Sequence, residues 1–373
     1  MTMARLFEAL DIGPIRVPNR IAVAPMCQYS ALDGAAADWH AHHWPTLGMS
    51  GAGLVMIEMT DVERRGRITH GCLGLYSDDN ERAFARTLAA ARAAALPGVK
   101  FGVQIAHAGR KGSSQRPWEG GQPLGPTEDR WTTSAPSAIA FNEGWPAPEA
   151  LSAEAIEALV RRFGEAAARA ERAGVDLIEL HMAHGYLLHQ FLSPIANHRK
   201  DGFGAADRMR FPLMAAAAVK AAASGRIALG ARITGSDWSE DGIKPADAVT
   251  LALELKRLGF HYVDVTSGAI HPKIAVPAKP GFQVPLAEEV RRGAGLVTRA
   301  VGLIADPHQA EAILVSGAAD QVAIGRGILD DPRWGWHAAE ALGVKPELPP
   351  QYARAAASVW AGASLARPPS KSA

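Results

Sequence analysis

Short apolar runs alternate with longer amphipathic stretches along this chain, and that order is the pattern of an α/β architecture. Eight runs read as strands: Ile21–Pro25, Gly53–Glu58, Lys100–Ala106, Val175–His181, Arg226–Ile233, His261–Thr266, Leu296–Val301 and Asp320–Gly325. Most are continuously apolar rather than alternating, as strands covered on both faces are. The stretches between them carry helix punctuation. Ser152 suits an N-cap and Gly174 ends the same helix. Asp306-Pro307 reads as an N-cap with proline at the first helical position, closed by Gly317, and Pro245 opens a helix that ends near Gly259. Eight strands, each followed by a helix, predict a closed (β/α)8 TIM barrel; an open doubly wound sheet normally needs fewer units.

Two segments exceed a minimal barrel. His107–Ala150, rich in Gly, Pro and Trp, is an extended loop after the third strand, expected as a lid or hairpin over the mouth. From Gly343 onward the chain becomes a C-terminal tail containing Pro349-Pro350. Residues 1–366 are expected to form one barrel domain, and 367–373 a disordered tail.

Composition narrows the class. With 39 basic and 38 acidic side chains the net charge is +1, and no basic stretch suggests nucleic acid or an anionic membrane surface. Two cysteines, Cys27 and Cys72, make no disulfide framework and fit a reducing cytoplasm. No signal peptide is expected from Met1–Asp11, and no apolar run is long enough to span a bilayer.

In such a barrel, chemistry sits at the C-terminal ends of the strands. Those ends carry Met26-Cys27, Glu58-Met59, Gln104 with His107, His181, Arg232, Ser267, Gly302 and Gly325-Arg326. Strand ends also turn polar simply because they emerge into solvent, which accounts for about half of such a list. Gly325-Arg326 leaves the eighth strand just after Val301-Gly302-Leu303 leaves the seventh, where barrels bind phosphate on backbone N–H groups. No G-x-G-x-x-G follows a strand and no P-loop is present, so a phosphate-bearing cofactor held by the barrel is preferred. His181-Met182-Ala183-His184-Gly185-Tyr186 can ligate a metal, bind a carbonyl oxygen with Tyr186 as proton donor, or be structural. Arg232 suits an anionic, electron-rich partner, with a salt bridge to a carboxylate nearly as good a reading. Gln104 can address the edge of a pyrimidine-like ring or fix a loop. Cys27 has no sequence-local base, and covalent catalysis is not favoured.

The motifs Ala24-Pro25-Met26-Cys27-Gln28-Tyr29, Gln104-Ile105-Ala106-His107-Ala108-Gly109-Arg110-Lys111 and His181 through Tyr186 resemble the Old Yellow Enzymes. So do Leu192-Ser193-Pro194, Asn197-His198-Arg199 and Ile324-Gly325-Arg326. Cysteine after Pro-Met and the tail Gln351-Tyr352-Ala353-Arg354 resemble the bacterial thermophilic-like (YqjM-like) branch. The likeness runs from Leu6 to Arg354. It implies a non-covalent FMN, reduced by NADPH or NADH, that reduces an activated C=C bond.

By position, Ala24, Pro25, Met26 and Cys27 would lie along the flavin, with the Cys27 thiol tuning its potential. Gln104 and Arg232 would contact the pyrimidine end. Gly325 and Arg326 would hold the phosphate with backbone near Gly302 and Leu303. His181 and His184 would bind the carbonyl oxygen of an enal, enone or maleimide, Tyr186 would protonate the α-carbon, and Tyr29 would help to fix the substrate. Arg354 matches an arginine that enters a neighbouring subunit's site, and a homodimer or homotetramer is implied. Met59 departs from the small residue, often alanine, that the family places against the flavin. The 113–133 loop is longer than in compact members.

Three other readings compete. A metal-dependent TIM-barrel hydrolase or aldolase would use His181 and His184. An iron–sulfur flavoprotein related to dienoyl-CoA reductases would need four thiolates, and this chain has two cysteines. A non-catalytic flavin-binding protein would have no use for the His/His/Tyr set.

Overall fold

The computed structural model describes residues 4–366, so the tail expected at 367–373 lies outside the described residues. All eight expected strands form: Ile21–Val23, Leu54–Asp61, Lys100–Ala106, Leu177–Met182, Ala228–Thr234, Tyr262–Thr266, Val297–Ala300 and Gln321–Ile324. Each pairs in parallel with its sequence neighbours, and the eighth pairs with the first (Ile324 opposite Val23) to close the barrel. Every residue of the second strand is buried, which is why it reads as one apolar run rather than an alternating one.

The helix punctuation works through specific bonds. Ser152 Oγ accepts the Ala155 N–H (3.2 Å) ahead of the helix Ala153–Arg172. Asp306 Oδ1 accepts the His308 N–H (2.9 Å) ahead of Pro307–Val315. Pro245 begins the helix Pro245–Arg257.

Two apolar clusters carry the packing. The larger fills the space between the barrel and its helices, with Phe84, Phe101, Phe163 and Phe211 fully buried. The smaller lies inside the barrel, where Leu54, Met56, Leu177, Ala228 and Tyr262 meet Ile12, Ile15 and Val17. Those three belong to an antiparallel hairpin, Leu10–Ile12 with Ile15–Val17, that stops the lower end of the barrel. Strands of three residues carry too few positions to show a period, so sequence reasoning missed them.

Three expectations change. The second strand does not stop at Glu58; it runs to Asp61, with a register irregularity between Ile57 and Met59 that places Met59 within the strand. The His107–Ala150 segment is hairpin-like only in part: Ser114 and Pro123 form an antiparallel bridge, whereas its two short strands, Ser134–Ala135 and Glu149–Ala150, pair in parallel. The tail from Gly343 turns back on the barrel's lower end. There the Tyr352 ring packs 6.2 Å from Trp336, which itself abuts Gly51 just before the second strand begins. Among the described residues, no helix is long and apolar enough to cross a membrane.

Candidate active site

The fourth strand carries His181 into the barrel mouth, and a tight turn then presents His184 and Tyr186 before the short helix Leu187–Leu192. The turn needs glycine at 185. Its φ is +72°, and a Cβ there would lie 2.3 Å from the Ala269 carbonyl oxygen. His184 itself sits at φ +58°. His181 Nε2 lies 3.3 Å from His184 Nδ1, and the Tyr186 ring stands edge-on to His181 with centroids 4.9 Å apart. Lys111 Nζ donates to the His184 carbonyl (2.7 Å) and lies 4.9 Å from the centre of the Tyr186 ring.

Electrostatics fix the protonation states of this set. Burial, then Arg232, hold both imidazoles well below the usual histidine range, so both are neutral near pH 7. Burial pushes the Tyr186 phenol well above its ordinary value and keeps its proton on. Burial likewise pushes the Cys27 thiol up, which agrees with a thiol and not a nucleophilic thiolate.

Beneath the mouth lies a buried polar network. Gln104 Nε2 donates one N–H to Glu179 Oε1 (2.8 Å), leaving the amide oxygen and the second N–H for a partner above. Tyr262 Oη donates to Glu179 Oε2 (2.7 Å) and Arg299 to the same oxygen (3.1 Å). Arg299 also faces Asp264 (3.5 Å) and donates through Nε to Gln321 (2.8 Å). The Tyr262 ring fits because position 230 is glycine; a Cβ there would meet the ring at 1.9 Å. Arg232 Nε lies 3.4 Å from Asp264 Oδ1, yet neither atom has a hydrogen bond. A carboxylate thus stands beside Arg232, as one of the two sequence readings expected, but Nε makes no hydrogen bond to it.

The wall opposite the histidines is built from the first and second strand ends. Pro25 to Ser30 are half-buried, and Ala24 is buried. Met59 packs with Ile68, Cys72, Ala106 and Ala108, and Cys27, Tyr29 and Tyr186 close around them. Met59 is therefore accommodated in the wall beside the expected catalytic tyrosine. Tyr29 has φ +51°, and its carbonyl accepts from Arg116 Nε (3.0 Å) in the long loop.

Gly302 and Leu303 follow the seventh strand with φ of +117° and +50°, and Leu303 is exposed. Gly325 caps the turn of helix Arg326–Asp330, and the Arg326 side chain is exposed with no ion pair among the described residues. An anionic, planar cofactor fits this set: the buried Arg232 guanidinium, whose Nε faces Asp264 without a hydrogen bond, the Gln104 amide, and an exposed cation at Arg326. Arg354 is not brought to this site. It lies exposed in the turn Pro350–Ala355, next to Tyr352 at the barrel's lower end. Among the described residues, no three His, Cys, Asp or Glu side chains are grouped to hold a metal ion.

A model of the NADH:flavin oxidoreductase / NADH oxidase family matches residues 5–344. The chain belongs to this family. It is an NAD(P)H-dependent oxidoreductase with FMN as its cofactor. An NADPH dehydrogenase of Listeria monocytogenes is 40% identical over 357 residues, 95% of this chain and 99% of that protein. The NADPH dehydrogenase of Bacillus subtilis is 39% identical over 358 residues, covering 94% and 99%. Morphinone reductase superposes with a TM-score of 0.73 at 27% identity, over 94% of this chain and 93% of that one. A 2-naphthoyl-CoA reductase shares the fold alone, with a TM-score of 0.81 at 21% identity; this chain covers 52% of it. The likeness to the Old Yellow Enzymes, the TIM barrel and the FMN expectation all hold.

Sequence reasoning missed Glu179, Asp264 and Arg299 inside the barrel, and Thr266 and Gln283 behind His184. Thr266 ends its strand and was in reach of the strand-end argument. Gln283 lies far along a connecting loop, and nothing local marks it.

Proposed function

We propose that this chain is an ene-reductase for activated alkenes such as enones, enals and maleimides, and that NADPH or NADH is its hydride donor. The observation that carries the reading is the pairing of a neutral imidazole donor at His181 with the protonated Tyr186 phenol, the two ring centroids 4.9 Å apart. FMN, when bound, carries the hydride from the nicotinamide to the β-carbon of the alkene. His181 and His184 bind the carbonyl oxygen and withdraw charge as it builds there. Tyr186 donates its proton to the α-carbon, and its burial keeps that proton available at neutral pH.

The chain's remaining residues hold and place the reactants. Arg232 and the Gln104 oxygen address the pyrimidine edge, and Ala24, Pro25, Met26, Cys27 and Met59 line its flank. Arg326, Gly325, Gly302 and Leu303 hold the phosphate. Tyr29 fixes the substrate from above. Arg354 lies at the far end of its own barrel, and its likeness to the family's tail arginine assigns it to a neighbouring copy's site, so a homodimer or homotetramer is part of this proposal. The relatives' names favour NADPH.

Anaerobic stopped flow on Tyr186→Phe tests the assignment. Flavin reduction by NADPH should stay within about twofold, while reoxidation by 2-cyclohexen-1-one slows by about 100-fold or more. Unslowed reoxidation removes Tyr186 as the acid.

A further inference from the structure

We propose that Thr266 is a positioning residue that sets the tautomer of His184. Its hydroxyl turns from Gln283 to His184 when a carbonyl or phenolate oxygen enters between the two imidazoles. The inference rests on the reading of His181 and His184 as the oxygen-binding pair.

Donor accounting fixes the chain in the ligand-free site. The Ala183 N–H donates to His181 Nδ1 (3.2 Å), so the single ring proton of His181 is on Nε2. That nitrogen faces His184 Nδ1 at 3.3 Å, which therefore accepts. The His184 proton is then on Nε2, 2.9 Å from Thr266 Oγ1. Thr266 passes its own proton on to Gln283 Oε1 (3.1 Å). The orientation of Gln283 is not free, because its Nε2 donates to the Val301 carbonyl (3.0 Å), which can only accept. The chain is directed from end to end, and Thr266 and Gln283 are buried, so bulk water does not complete it. Neither imidazole takes a second proton near neutral pH, because burial and the Arg232 charge oppose it.

That arrangement offers an incoming oxygen only one donor, His181 Nε2–H. Two donors require His184 to carry its proton on Nδ1, which exposes a buried lone pair on Nε2. Leaving such a group unpaired is costly. Thr266 is the donor within reach of it, and its hydroxyl can leave Gln283 because the Ser267 hydroxyl still donates to Oε1 (2.6 Å). The proton count is the same in both arrangements: one on each imidazole and one on the hydroxyl. Exchange with solvent in the open mouth moves the His184 proton from Nε2 to Nδ1.

Nitrogen-15 spectra of histidine-labelled, FMN-loaded enzyme read the tautomer directly. In the wild type, His184 should be protonated on Nε2 when free and on Nδ1 when 4-hydroxybenzaldehyde is bound. Thr266→Val should fail to complete that conversion and bind the phenol about tenfold more weakly, and Thr266→Ser should restore both. Gln283→Met removes the competing acceptor, so its free form should already show more of the Nδ1–H tautomer. A purely structural role for Thr266 does not produce opposite tautomer shifts in the two variants. Full conversion in Thr266→Val, or an Nδ1–H tautomer in the free wild type, overturns the proposal. If the phenol binds without moving either histidine's signals in the wild type, the oxygen-binding pair itself is wrong.

Discussion

Replacing Arg299 with methionine probes the polar layer on which the cofactor-facing residues rest. Arg299 is fully buried and donates to Glu179 and Gln321, with Asp264 3.5 Å away. Methionine keeps much of the volume and removes the cation. Asp264 retains Arg232 at 3.4 Å, but Glu179 keeps only its bonds from Gln104 and Tyr262. Removing one partner of a buried ion pair costs about 3–5 kcal/mol. With an unfolding entropy of about 2 cal/mol/K per residue, a chain of this length loses roughly 4–6 °C in melting temperature.

The loss should also depend on pH. Burial and the Asp264 charge already push the Glu179 carboxyl up, while Arg299 draws it down. Without Arg299 its folded-state value rises further above the unfolded one, so the folded form holds the proton more tightly. Stability of the variant then falls as pH rises from about 4 through that raised value. Calorimetry of FMN-loaded wild type and Arg299→Met at a series of pH values measures both effects. A variant that melts within about 1 °C of wild type at pH 8, or whose deficit is flat with pH, shows that Arg299 does not hold the Glu179 charge.

Gly185→Ala places a methyl 2.3 Å from the Ala269 oxygen in a left-handed backbone, so the His184–Tyr186 turn must shift. It should cost about 1–2 kcal/mol from the backbone alone and lower enone turnover more than NADPH-driven flavin reduction; equal loss in both half-reactions contradicts this. Lys111 is pushed down to about 8 by burial and by Arg110. Its charged form is penalised in the fold below that value, and the penalty is relieved as pH rises from about 8 toward the ordinary lysine range. Relative to Lys111→Met, wild-type stability should therefore rise between about pH 8 and 10, and parallel pH curves for the two proteins would remove the effect.

The barrel was legible because its strands are continuously apolar and several of the helices between them begin at a side-chain cap, a signal carried by local residues such as Ser152 and Asp306. The His181–Tyr186 turn was legible for the same reason: it is contiguous. What escaped is what depends on packing between distant strands. The closing hairpin at Leu10–Val17 is too short to show a period. The Glu179–Asp264–Arg299 layer joins three strands, and each member looks like an ordinary interruption of an apolar run. The end of the second strand was misplaced because its register shifts near Met59, which period counting does not register. Gln283 gains meaning only from Thr266 and Val301, both far from it in sequence.

As proposed above, this barrel passes hydride from a nicotinamide through FMN to an activated alkene. Anaerobic titration of the purified holoenzyme with NADPH, followed by 2-cyclohexen-1-one, tests it most directly. The flavin absorbance should bleach with NADPH and return on addition of the enone, with cyclohexanone formed in equal amount. A flavin that bleaches and is not reoxidised by any enone, enal or maleimide would contradict ene-reductase activity, and a protein that takes up no FMN would contradict the flavin chemistry altogether.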